Sequence, residues 1–109
     1  MLLELKAVYS NQKGFYGKAC VHEVNSYIID LYSYIIDLYS YDTLVCSVNR
    51  ATHTIALREQ WDRSNTTLRH VREFLAQCCD ERFAHASKRQ LIAAVRSGRE
   101  MHGWPIVLG

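Results

Sequence analysis

Residues 26–49 read SYIIDLYSYIIDLYSYDTLVCSVN, and the way this stretch folds decides the architecture of the chain. The heptapeptide SYIIDLY stands twice without a break, at 26–32 and again at 33–39. A helix would keep both copies on one face, because seven residues are two turns. Ile28, Leu31, Ile35 and Leu38 would then fall on a and d positions. A strand instead turns the second copy over, because side chains alternate with period two and seven is odd. Tyr27, Ile29 and Leu31 would share a face with Ile35, Asp37 and Tyr39, which sets an aspartate among apolar neighbours. The density of tyrosine and isoleucine favours the strand. An unbroken strand from Tyr27 to Val48 would greatly exceed the usual five or six residues, so a bend is expected near Ser33 or Ser40. A seven-residue unit is too short for a repeat architecture, and the doubling reads as a local duplication.

Strand signals continue on both sides. Residues 43–48 and 52–57 read as two strands joined by a turn at Asn49 and Arg50. Toward the N-terminus, Leu3, Leu5 and Ala7 alternate with Glu4 and Lys6, and residues 10–14 (SNQKG) supply a turn. Residues 18–24 alternate again, with Cys20, His22 and Val24 on one face. All seven tyrosines fall in this half of the chain.

The second half changes period. Ser64, Asn65, Thr66 and Thr67 offer N-caps, and Leu68, Val71, Phe74, Leu75 and Cys78 recur at helical spacing. Arg69 and Glu73 are expected as an i,i+4 pair on the exposed side. A second helix is expected from the cap Ser87, burying Leu91, Ile92 and Val95 and stopping at Gly98. Residues 104–108 (WPIVL) suit a short closing strand. The predicted fold is therefore α+β, an antiparallel sheet of four to five strands followed by two helices packed on one face. A single domain spans 1–109, with 1–57 mainly β and 64–98 helical.

With 49% hydrophobic residues in a chain of 109, a core forms without disulfide staples, and a deep catalytic cleft is disfavoured by size. The net charge of +2 is unevenly placed. Residues 1–57 hold four basic and five acidic side chains, and 58–109 hold nine and six, giving −1 and +3. The start, MLLELKAVY, carries Glu4 and Lys6 where a signal peptide needs an apolar run, so a cytoplasmic location in whichever cell makes the protein is expected. Adjacent Cys78 and Cys79 cannot bridge each other without distortion, and Cys20 and Cys46 sit in apolar strand runs. All four are expected as free thiols.

Three sequence stretches carry a resemblance. LYSYDTLV at 38–45, SNTTLRHVREFL at 64–75 and NQKGFYGKA at 11–19 resemble small uncharacterised proteins of bacteriophages and other mobile elements. Those proteins pair a strand region containing L-x-S-Y-x-T-x-V with a helix opening S-x-T-T-x-R-H-x-x-x-F-L. The likeness covers roughly residues 5–80. The doubled heptapeptide departs from the pattern, and the C-terminal tail has no counterpart in it. By association, the resemblance implies binding to host or defence proteins or to nucleic acid.

The residues offer little for chemistry. No C-x-x-C and no H-x-x-x-H is present, so the thiols and imidazoles do not have the paired spacing of a structural zinc site. Cys78 and Cys79 near a helix C-terminus sit where a thiolate is disfavoured. The glycines are scattered rather than gathered in a phosphate loop. No enzymatic activity, cofactor or metal is expected. What remains is a basic helical surface: Lys88, Arg89, Arg96 and Arg99 on the second helix, extended by Arg69 and Arg72 on the first. Tyr27, Tyr32, Tyr34, Tyr39 and Tyr41 could stack on bases or face a protein. The leading expectation is a non-enzymatic phage-type protein that binds a host protein or protein–nucleic-acid complex, as an inhibitor of a defence system such as CRISPR. The alternative is a small nucleic-acid-binding regulator using the basic face. An exposed strand edge would also allow homodimers.

Overall fold

The computed structural model describes residues 2–9, 18–23, 35–98 and 100–109. The first copy of SYIIDLY, the turn at 10–14 and Arg99 lie outside the described residues. From Ile35 onward the second copy is strand. Ile35–Ser40 forms β3, with Ile36, Leu38 and Ser40 buried and Ile35, Asp37 and Tyr39 half-buried on the opposite face. The expected bend comes directly after Ser40, where Tyr41 and Asp42 turn the chain into β4 (Thr43–Asn49).

The aspartate left on the outer face has its own solution. Ser47 on β4 donates its hydroxyl to Asp37 Oδ1 at 2.6 Å, and Arg58 donates Nε and Nη2 to Ser47 Oγ at 3.2 and 3.0 Å. The duplication therefore delivers a polar side chain to a face where two others receive it.

Leu2–Glu4 (β1) and Ala19–Glu23 (β2) precede β3, and Thr54–Leu57 (β5) follows β4. The β4 to β5 turn starts at Asn49, whose side-chain carbonyl accepts from the backbone N–H groups of Ala51 and Thr52. Two further strands, β6 (Glu100–Met101) and β7 (Trp104–Leu108), complete a sheet of order β1-β2-β3-β4-β5-β7-β6. All pairings are antiparallel except β5 with β7, which is parallel. The sheet thus has more strands than expected and is not wholly antiparallel. The closing strand is where residues 104–108 place it, but a parallel neighbour requires a crossover, and the helical segment provides one. A two-residue strand such as β6 is too short to show alternation in sequence.

The crossover begins with α1 (Asn65–Cys78), capped by Ser64, whose Oγ accepts from Thr67 N at 3.1 Å. A 3₁₀ turn at Glu81–His85 follows, capped by Asp80. The Arg82 guanidinium, bonded to that carboxylate, holds it down to about 2. Helix α2 (Lys88–Ser97) opens with a capping box between Ser87 and Gln90 and ends at Gly98 in the left-handed conformation. Helix α1 packs across β3 and β4, and α2 against β7. Phe74, Leu75, Phe83 and Leu91 meet Leu38, Ile55, Leu57 and Ile106 in one fully buried core. Among the described residues, no helix is long and apolar enough to cross a membrane, and the four cysteines are free thiols.

One expectation about α1 is corrected. Glu73 is not on the exposed side beside Arg69 but 2% exposed. Its carboxylate accepts Tyr9 N at 2.9 and 3.1 Å and Gln77 Nε2 at 2.7 Å. The segment after β1 lies against this position, so the acid serves as a backbone clamp rather than as a solvated partner.

Candidate nucleic-acid interface

The buried polar groups come first, since they decide whether the fold holds a reactive centre. Ser40 Oγ lies 2.8 Å from His70 Nδ1 and 3.3 Å from Thr67 Oγ1, and Ser64 Oγ donates to Thr67 Oγ1 at 3.2 Å. Running the donors from Ser64 through Thr67 to Ser40 uses every hydroxyl proton and leaves His70 Nδ1 as the acceptor. Burial, with Arg69 and Lys18 adding repulsion, lowers His70 to about 4, so the ring is neutral at pH 7. A serine beside an imidazole is the outline of an activated nucleophile. Here Ser40, Thr67 and His70 are each 0% exposed, and a substrate atom has no approach to the hydroxyl. The network is a buried polar inset in the core.

The thiols read the same way. Burial above all, then the neighbouring Cys79 and Cys78, pushes the Cys46 thiol well up, and burial raises Cys79 beyond the usual thiol range. Thiols held protonated are poor nucleophiles. Among the described residues, no three His, Cys, Asp or Glu side chains gather as a metal site.

The basic residues divide between two ends of the helical layer. Lys88 and Arg89 are exposed in the first turn of α2. Lys88 Nζ stands 3.7 Å from Asp62 Oδ2, which ties the start of α2 to the segment that leads into α1. Arg72, half-buried on α1, donates Nη1 to Ala86 O at 3.4 Å, just before the α2 cap. Arg69, also half-buried, lies one turn nearer the start of α1. Arg96 is exposed in the last turn of α2. It lies about 12 Å along the helix from Lys88, where a cation complements the helix dipole. The face expected as one stripe is thus a cluster of Arg69, Arg72, Lys88 and Arg89, with Arg96 apart.

The structure adds residues to the cluster that periodicity alone did not select. Arg63 immediately precedes the α1 cap, and its Cζ is 5.7 Å from the centroid of the Tyr41 ring. Lys18 Nζ is 5.8 Å from the same ring. The ring also tilts against His70 at 5.8 Å, and Tyr41 N donates to Lys18 O at 2.8 Å. Tyr41 and Asp42 both have positive φ, 51° and 65°. This is the backbone of a two-residue hairpin that Asn-Gly normally supplies. Holding a bulky residue there costs about 1–2 kcal/mol. The signal was in the sequence as S-Y-D-T between two strands: Asp42 tolerates the left-handed region, but Tyr41 is an unusual occupant of it, so the tip was not marked.

Electrostatically, this end of the molecule is positive for two reasons that add. Neither α1 nor α2 has an acidic residue in its first turn, so the unsatisfied N–H groups of both helix starts keep their partial positive charge. Lys18, Arg63, Arg69, Arg72, Lys88 and Arg89 lie on or close to these elements, with Asp42, Glu59, Asp62 and the buried Glu73 the acids near them in sequence.

No curated protein and no solved structure is significantly similar to the chain. Residues 3–93, which run from β1 through most of α2, match a family of unknown function (DUF8033), and the chain belongs to that family.

Proposed function

We propose that the protein is a non-enzymatic binding protein whose ligand is nucleic acid, held through its phosphates by the positive end of the helical layer. The observation that carries this reading is the convergence of two helix starts without acids and the cations Arg63, Arg69, Arg72, Lys88 and Arg89. Helix N-termini offer N–H groups to anionic oxygens, and arginine adds planar donor pairs matched to phosphate. An inhibitor of a host defence complex, the role the phage resemblance implies, would on this surface engage the nucleic-acid component. Mimicry of a nucleic acid needs a net negative face, and the chain is +2.

The test is a titration of a labelled duplex and a labelled single strand at several salt concentrations. Affinity should fall linearly in log–log form, with a slope of about −3 to −4 if roughly four phosphates are contacted. The triple reversal Arg69→Glu, Arg72→Glu and Lys88→Glu should abolish binding, whereas Arg96→Glu should weaken it far less. Salt-independent retention, or equal losses from all four positions, would refute the assignment.

A further inference from the structure

We infer that Tyr41 is a stacking site for one base of a single-stranded nucleic acid, with Lys18 and Arg63 placed to take the flanking phosphates. This rests on the phosphate-binding reading above and deepens it.

The hairpin tip puts the aromatic ring out at the corner, and Tyr41 remains 42% exposed. The ring is not loose. Its backbone N–H is bonded to Lys18 O, tying the tip to the start of β2, and its side chain rests on the His70 ring. His70 is in turn fixed by Ser40, which Thr67 joins. A stacking platform needs this kind of support, since ordering a free side chain on binding would cancel much of the gain. The imidazole beneath is neutral near pH 7, so it adds no charge of its own against the phenol ring.

The two cations stand near the outer limit of cation–π contact, about 6 Å, and so hold the ring weakly. Among the described residues, the ion pairs are those of Arg82 with Asp80 and Lys88 with Asp62, and Lys18 and Arg63 belong to neither. Asp42, next to Tyr41 and exposed, is the one carboxylate carried by the tip itself. An exposed aromatic ring with two weakly held cations over it is complementary to a nucleotide unit, whose flat base takes their place on the ring while the anion on either side takes the cations. A duplex hides its base faces in the stack, whereas a single strand offers them.

The experiment uses the whole protein and end-labelled oligothymidylate and oligouridylate of about twelve nucleotides, a length within one such site's span. A mixed-sequence duplex of equal length is the comparison, read by fluorescence anisotropy. Tyr41→Ala should weaken single-strand binding by about 5- to 100-fold, as loss of one stacked base does. Duplex binding should stay within about twofold, because phosphates dominate it. Tyr41→Phe should keep single-strand affinity, since the ring is what stacks. Tyr41→Asn, which suits the left-handed turn, should lose as much as alanine, separating stacking from turn distortion. Similar losses on oligothymidylate and oligouridylate support a base platform. A loss confined to one of them assigns the site to recognition of that strand's sugar or of the thymine methyl and overturns a platform that stacks any base. If wild type binds both strand forms with salt dependence and Tyr41→Ala matches it, stacking is refuted while phosphate binding stands. If wild type binds neither, both fall.

Discussion

Acidification should destabilise this protein in a window set by one residue, His70. The imidazole is buried, and its Nδ1 is occupied as the acceptor of the Ser40 hydroxyl, so protonation would place a donor against a donor and a charge in the core. Its pKa is lowered from 6.5 to about 4, by burial first, then Arg69 and Lys18. The sign follows from proton counting. Between the two values the unfolded chain binds a proton that the folded chain refuses, so stability falls as pH falls and is intact above 6.5. A depression of about 2.5 units corresponds to at most about 3 kcal/mol once the pH is below 4, of which about 2 kcal/mol is lost between pH 7 and 5. Urea unfolding at pH 7, 6 and 5 measures this, with His70→Asn as the control that keeps an amide near the Nδ1 position and cannot titrate. The variant should start less stable at pH 7 and show a shallower dependence, by about 2 kcal/mol over the same interval. Equal slopes for the two proteins would show that His70 is not held neutral by the fold, and the account of the network would be wrong.

Two further outcomes test the packing. Glu73→Ala should cost about 2 kcal/mol, because a buried carboxylate that accepts a backbone N–H and an amide is worth more than a neutral hydrogen bond. The Tyr9 amide, which Glu73 holds at 2.9 Å, should then exchange with solvent far faster, while amides of β4 keep their relative protection. Ser87→Ala removes half of the α2 capping box and should lower stability by about 1 kcal/mol. In thermal melts that is a fall of roughly 4–8 °C for a domain of this size, with Ser87→Asp restoring most of it.

The sequence made the elements legible wherever period and punctuation agreed. Ser64 and Ser87 cap helices because a short hydroxyl ahead of an apolar run at helical spacing has few other readings, and Gly98 ends α2 by the left-handed turn that glycine allows. Within β3, Asp37 shares a face with Ile35 and Tyr39 as period two requires. What stayed hidden depended on long-range partners. The burial of Glu73 is decided by residues 6–9, which arrive against α1 from more than sixty positions away. The parallel pairing of β7 with β5 depends on how far two helices carry the chain, not on any feature of WPIVL. The basic cluster was half visible. Helical periodicity found Arg69, Arg72, Lys88 and Arg89, but Lys18 and Arg63 join them only through the fold, on either side of a turn whose residues break the usual turn chemistry.

Those broken rules are themselves informative because of where they fall. Most of the chain is locally consistent: caps, alternation and burial point to the same structure. Besides the positive φ of His53 and His102 at two other turns, three choices run against local preference. Tyr41 takes a left-handed backbone. Lys88 and Arg89 put cations in the first turn of α2, where the helix dipole disfavours each by about 0.3–1 kcal/mol. Arg63, just before the Ser64 cap of α1, adds positive charge where an acid would have been stabilising. Independent accidents would scatter over the surface. Instead, Tyr41 meets Arg63, Arg63 adjoins Asp62, and Asp62 reaches Lys88, so all three exceptions lie along one continuous edge. Local costs gathered along one edge of the surface are what the proposed phosphate ligand would repay on binding.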